Sequence, residues 1–223
     1  LTGALALVAS ACTGGDSGGG SDRTPEEALA AAKQALDDTT GVELTLSTDD
    51  LPDGVTGVEK AVGVGTHAPA FEGTITVVLA GQAIEVPVVA VDGKVFAELP
   101  FTSGYQDVDP GEYGAPDPAR LMSPTHGLSS LLDATADLEQ GDSVRGGAGN
   151  KEVLTEYTGT LPGDVVENII PTASGEFAAT YLITDDGELR SADLTGVFYG
   201  GSDSMTYTVT FDDYGTERDI TAP

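Results

Sequence analysis

Residues 71–99 decide the fold: Phe71-Glu72-Gly73-Thr74-Ile75-Thr76-Val77-Val78-Leu79-Ala80-Gly81-Gln82-Ala83-Ile84-Glu85-Val86-Pro87-Val88-Val89-Ala90-Val91-Asp92-Gly93-Lys94-Val95-Phe96-Ala97-Glu98-Leu99. In an extended chain, alternate side chains point to the same side of a sheet. Phe71, Gly73, Ile75, Val77 and Leu79 then share one face. After a turn at Ala80-Gly81-Gln82, Ile84, Val86 and Val88 share a face in the next strand. Asp92-Gly93 is the strongest short-range hairpin signal in the chain and leads into a third strand over Val95–Leu99. This is an antiparallel meander with one apolar side.

Working towards the N-terminus, Thr56–Thr66 is a valine-rich strand interrupted by Gly57, Gly63 and Gly65, which favours bending or bulging. From Val42 onward, Leu44 and Leu46 alternate with Glu43 and Thr45 as in another strand. Thr24-Pro25-Glu26-Glu27 is a capping box with proline at the first helical position. It opens an alanine-rich helix to about Asp38, whose narrow apolar face is Leu29, Ala32 and Leu36.

Towards the C-terminus, Pro110, Pro116 and Pro118 make 107–117 a loop, followed by a turn of helix at Ala119–Met122. Ser123-Pro124 opens a helix carrying Leu128, Leu131, Leu132, Thr135 and Leu138 at helical spacing. Lys151–Leu161 is again a strand, with Gly147-Ala148-Gly149 as the hairpin turn before it. Pro162–Ile170 reads as a short helix with Val165, Val166, Ile169 and Ile170 inward. A second meander follows over Phe177–Thr184, Leu189–Tyr199 and Met205–Phe211. The class is therefore α+β: one long antiparallel sheet with a few helices over one face, the two meanders being its halves.

The N-terminus carries a different message. The apolar run Leu5-Ala6-Leu7-Val8 and the small residues Ala9-Ser10-Ala11 lead to Cys12, the only cysteine, and then to a Gly/Ser stretch. That order matches the end of a lipoprotein signal peptide: residues 1–11 a signal-peptide remnant, Cys12 the lipidated residue, 12–23 a flexible tether, and 24–223 a single domain. Such a tether has a root-mean-square span of about 20 Å and a contour limit near ~40 Å. It would hold the domain at the outer face of the cytoplasmic membrane, in the cell envelope.

With 37 acidic against 9 basic residues the net charge is −28. Such a surface repels nucleic-acid phosphates, whose binding needs clustered Lys and Arg, and it repels anionic headgroups as well. No catalytic pattern stands out. His67 and His126 are far apart and outside any His-Glu-x-x-His arrangement, and no serine occupies a Gly-x-Ser-x-Gly elbow. Asp107, Asp109 and Glu112 lack EF-hand spacing and read as a solvated acidic loop. The expectation is a non-enzyme without metal or cofactor. By periodicity alone the inward apolar residues read as packed core.

Three segments shift that balance. Val88-Val89-Ala90-Val91-Asp92-Gly93-Lys94-Val95-Phe96-Ala97, Asp117-Pro118-Ala119-Arg120-Leu121-Met122-Ser123-Pro124-Thr125-His126-Gly127-Leu128 and Phe211-Asp212-Asp213-Tyr214-Gly215, together with Cys12, resemble the LppX/LprAFG family of actinobacterial lipoproteins. The resemblance implies a LolA/LolB-like carrier fold: a strongly curved antiparallel half-barrel sheet, with helices over its concave face enclosing an apolar cavity. It implies a carrier of acylated glycolipid or triacylglycerol across the envelope. The candidate cavity residues are Ile75, Val77, Leu79, Val86, Val88, Leu128, Leu131, Leu132, Ile169 and Phe177. The alternative is a structural or scaffolding lipoprotein that uses the sheet as packed core and recruits an envelope exporter or cell-wall enzyme.

Overall fold

The first and last strands of the chain pair with each other, and this contact joins the two meanders into one sheet. The computed structural model describes residues 23–113 and 115–223; the leader, Cys12 and most of the tether lie outside the described residues. The elements run α1 (Pro25–Asp38), β1 (Gly41–Ser47), β2 (Gly57–Thr66), β3 (Ala70–Leu79), β4 (Gln82–Val91), β5 (Lys94–Ala97) and β6 (Gln106–Val108). Two 3-10 turns, Pro110–Tyr113 and Pro118–Met122, precede α2 (Leu128–Ala134). Then come β7 (Ala136–Gly146), β8 (Glu152–Pro162), α3 (Gly163–Val166), β9 (Ser174–Thr184), β10 (Leu189–Val197) and β11 (Met205–Asp212). The sheet order is β6-β5-β4-β3-β2-β1-β11-β10-β9-β8-β7, antiparallel throughout and open, with β6 and β7 as its edges.

Helix α1 begins as its sequence dictates. The Thr24 hydroxyl accepts from the Glu27 N–H at 3.3 Å and the Glu27 carboxylate accepts from the Thr24 N–H at 3.0 Å. Ala28, Leu29, Ala32 and Leu36 are buried. The Ala80-Gly81 and Asp92-Gly93 turns have positive φ at both residues (52° and 77°; 55° and 71°), as two-residue hairpins of the twisted sheet require. Gln82 therefore belongs to β4, opposite Leu79, and not to the turn.

Several elements differ from the periodicity: α3 stops at Val166 and does not run to Ile170, and the expected loop 107–117 holds the end of β6 and a 3-10 turn. Helix α2 starts at Leu128 and ends at Ala134, because Thr135 is extended and its hydroxyl donates back to the Leu131 carbonyl at 2.8 Å. Leu138 consequently lies in β7, an edge strand whose exposed, polar residues gave little alternation to detect. In β2 a bulge falls between Val58 and Lys60, and Gly63 and Gly65 provide clearance for neighbouring side chains. A Cβ at Gly63 would meet the Phe71 ring at 2.6 Å, and one at Gly65 would meet Met122 at 2.6 Å.

Because β6 and β7 are opposite edges, separated by ten strand spacings or about 48 Å measured along the sheet, the segment 109–135 must join one edge to the other. It travels across the apolar face. The Pro118–Met122 turn contacts β2, β3 and β4, while α2 contacts α1, α3 and β8. Lys33 on α1 donates to the Pro124 carbonyl at 2.9 Å and so fastens the crossing from its other side. On the opposite face, Ile220 of the C-terminal segment packs on Ala70 and Val89.

Candidate functional site

The two halves of the apolar face are filled differently. Over β8–β11 the interior is aromatic: Phe177 and Phe198 meet edge-on with centroids 4.8 Å apart, as do Phe198 and Tyr207. The hydroxyls of Tyr181, Tyr199 and Tyr207 are partnered, whereas Thr155 Oγ1 in β8 is buried without a hydrogen-bond partner among the described residues. The Val58 N–H donates to Tyr199 Oη at 3.2 Å, the Tyr199 and Tyr207 hydroxyls pair at 2.9 Å, and Tyr207 donates to the Val58 carbonyl. Tyr181 pairs with Thr135 Oγ1 at 2.8 Å. Burial pushes the Tyr181 and Tyr207 phenols well above the ordinary tyrosine range, since it penalises the phenolate, and Tyr199 adds to the shift at Tyr207.

Over β3–β6 the described residues leave the interior unfilled. Ile75, Val77 and Leu79 of β3 and Ile84, Val86 and Val88 of β4 form the floor of a cleft. Register makes this floor: Ile75 lies opposite Val86, and Val77 opposite Ile84. Val95, Ala97 and Val108 continue it to the sheet edge, and Pro110, Ala115, Pro116 and Pro118 roof it. The cavity volume is about 140 Å³, within a void of about 780 Å³ counted out to the open mouth. All the described lining residues are apolar, including Leu99 and Pro100 at the mouth.

The roof explains the void. Prolines and alanine are short, and their rings and methyl groups do not reach down to the Val and Ile floor as the Phe and Tyr rings do in the other half. Such a cleft accepts hydrocarbon. Its described lining offers no acid, base or nucleophile, and a polar group placed inside would lose its hydrogen bonds to water without replacement.

The structure brings together Ile75, Val77, Leu79, Val86 and Val88 on the cleft floor. Leu128, Leu131, Leu132, Ile169 and Phe177 lie elsewhere, each at most 3% exposed, in the packed part of the same contiguous apolar cluster. Sequence reasoning missed Ile84 as a site residue, although it shares the face of Val86 and Val88. It also missed the roof, whose signal was the repeated proline in an otherwise acidic loop.

The polar candidates are engaged elsewhere. His67 Nε2 lies 2.7 Å from the Leu36 carbonyl, and His126 Nδ1 lies 2.8 Å from Thr125 Oγ1. Asp107 pairs with Lys94 at 2.7 Å, and Asp109 accepts from the Gly111 N–H at 2.9 Å. Among the described residues no group of three His, Cys, Asp or Glu side chains is arranged to hold a metal ion.

The profile of the LppX_LprAFG lipoprotein family matches residues 24–221. The chain belongs to this family. Two solved structures support the LppX_LprAFG assignment at the level of fold. LprF from Mycobacterium bovis matches with a TM-score of 0.72 at 15% identity, covering 89% of this chain and 96% of that one. Lipoprotein LppX from Mycobacterium tuberculosis matches with a TM-score of 0.65 at 18% identity, covering 90% of this chain and 100% of that one. No curated protein matches this LppX_LprAFG chain by sequence. Membership places it among lipoproteins of the cell envelope.

Proposed function

We propose that the protein is a membrane-anchored, non-enzymatic lipid carrier, lipidated at Cys12, which takes acyl chains of an envelope glycolipid or triacylglycerol into the cleft. In this reading the sheet is a curved half-barrel, its helix-bearing face is concave, and residues 24–223 act as one lipid-binding domain. The observation that carries it is the fully apolar described lining of the cleft in a chain of net charge −28. Every carboxylate of the described residues is kept out of this space.

Volume sets the mechanism. A cavity of about 150 Å³ holds one benzene-sized molecule, so the 140 Å³ here takes about six carbons. A long acyl chain therefore requires the roof over the cleft, from Pro110 to Pro116, to lift from the sheet. The path beyond Val88 then leads into the contiguous cluster holding Leu128, Leu131, Leu132, Ile169 and Phe177. Each methylene transferred from water gains about 0.8 kcal/mol, but bilayer hydrocarbon offers the same gain. The carrier works because exchange between cleft and bilayer is nearly even.

The test is to purify the full chain without detergent, extract it with organic solvent and identify the extract by mass spectrometry, alongside uptake of a fluorescent acyl lipid from vesicles. Co-purifying acyl lipid and saturable uptake are expected. A folded protein that neither holds nor takes up lipid overturns the carrier reading and leaves the scaffold.

A further inference from the structure

We propose that the mouth of the cleft is a membrane-docking rim, and that the Phe101 ring enters a neutral bilayer surface; this deepens the carrier reading and rests on it for its purpose. The mouth is located by burial along the cleft. Val88, Val95 and Ala97 at the inner end are 4–6% exposed, whereas Leu79 at the tip of the β3–β4 hairpin is 46% exposed. Pro100, from the β5–β6 loop, is exposed beside it. The loop is tied to β4 by the Glu98 N–H, which donates to the Pro87 carbonyl at 3.0 Å.

Phe101 stands at the crest of that loop and is fully exposed. Leu99-Pro100-Phe101-Thr102 is a turn closed by the Thr102 N–H and the Thr102 hydroxyl, both donating to the Leu99 carbonyl at 3.2 and 2.8 Å. Phe101 holds φ 68°, the position of such a turn where glycine is favoured because a side chain is strained there. Neither burial nor backbone comfort accounts for an aromatic ring at this place. Strained residues of this kind persist where the surroundings use them.

Charge identifies the occupant. Residues 73–84 and 99–106, which supply the two tips, contain no Asp, Glu, Lys or Arg in a chain with 46 such residues. The rim thus meets a surface without carboxylates and without cations. Apolar Leu79 and Phe101 flanked by Thr102, Ser103 and Gln106 match the boundary between headgroups and hydrocarbon. The neighbouring loop between β1 and β2 carries Asp49, Asp50 and Asp53, which selects a neutral leaflet over an anionic one.

The chain contains no tryptophan, so F101W supplies a single indole reporter. The full chain carrying Cys12→Ala, to prevent acylation, is mixed with phosphatidylcholine vesicles, plain or brominated in the acyl chains. The F101W indole should shift to the blue and be quenched by the brominated lipid. V153W, at an exposed position on β8, should not. F101D should weaken vesicle partition roughly 10- to 100-fold while leaving uptake of a water-soluble short-chain fatty-acid dye unchanged. An unquenched F101W, or equal quenching of V153W, overturns the docking rim. Dye uptake without quenching removes the rim and keeps the carrier. Quenching with neither dye uptake nor bound lipid keeps the rim and removes the carrier.

Discussion

Replacing Ile75 by tryptophan separates an open cleft from a packed core. Ile75 sits mid-strand, paired with Ala61 of β2 and Val86 of β4, and its side chain lines a cavity of about 140 Å³. An indole is a little larger than the benzene-sized molecule that such a space accepts, so Ile75→Trp should fill the cleft at small cost. Leu131 in α2 is 1% exposed and lines no such space. Leu131→Trp should therefore overpack the interior and cost about 1–3 kcal/mol. For a chain of this size each kcal/mol moves Tm by roughly 2–4 °C. Leu131→Trp should then lower Tm by about 2–12 °C, whereas Ile75→Trp should stay within about 2 °C of wild type.

Ligand binding should respond in the opposite sense. Filling the space of about six carbons removes roughly 5 kcal/mol of acyl-chain burial, a loosening of between about 10³- and 10⁴-fold in Kd. Thermal melts followed by circular dichroism and titration with a fluorescent acyl chain measure the two quantities on the same samples. An Ile75→Trp protein as destabilised as Leu131→Trp and still loading lipid would refute the reasoning, because Ile75 would then be core and the lipid elsewhere.

Cys12→Ala should release the protein from the membrane fraction of cells, while detergent-free uptake of acyl lipid by the purified chain is retained; loss of uptake would place the N-terminal segment within the site. Tyr207→Phe should cost about 1–3 kcal/mol in urea unfolding, since it strips the buried Val58 carbonyl and the Tyr199 hydroxyl of a partner; a change under about 0.5 kcal/mol would show that water replaces the phenol. Burial raises the phenol pKa of Tyr157, Tyr181, Tyr207 and Tyr214 in the folded state. Above about pH 10, the unfolded value, the folded chain therefore holds more protons than the unfolded one, so their contribution is complete below about pH 10 and lost as pH rises beyond it. Tm measured from about pH 8 to 11.5 should be insensitive to these groups at first and then fall, less steeply in Tyr181→Phe; a Tm that holds or rises through the upper range would contradict the burial of these phenols.

Much of the frame was legible because it is written in local chemistry. The Thr24 capping box, the Asp92-Gly93 turn and the alternation of Ile75, Val77 and Leu79 act over a few residues, and each has one physical reading. Strand β7 was obscure because an exposed edge strand needs no apolar face, and Asp137 to Arg145 supplies almost none. Helix α2 was read too long because Leu138 continues the helical spacing, whereas the break depends on Thr135 reaching Leu131 and Tyr181. The site divided for the same reason. Alternation says that Val86 and Phe177 both face inward, but not whether another element arrives to cover them. Phe198 covers Phe177, whereas a roof of Pro116 and Pro118 leaves space above Val86.

Topology makes that asymmetry functional. Pairing of β1 with β11 puts the first and last strands at the centre of the sheet and leaves the middle of the sequence at its edges. The crossing segment that must join those edges is anchored at its far end by α2 against α1, α3 and β8. Its near end rests on β2–β4 through the Pro118–Met122 turn, with Met122 seated in the clearance left by Gly65. Both α2 and the Pro118–Met122 turn are thus built into the core, and the stretch holding Pro110, Ala115 and Pro116 lies over the cleft. In the carrier we propose, that stretch is the part that lifts, while the tyrosine network keeps the other half of the sheet closed. Because hydrocarbon gains as much in the bilayer as in the cleft, selection acts on what the cleft refuses. In the carrier we propose, with no polar group in the described lining, a headgroup stays at the mouth, near the uncharged Thr102, Ser103 and Gln106, and the acyl chains alone pass inward.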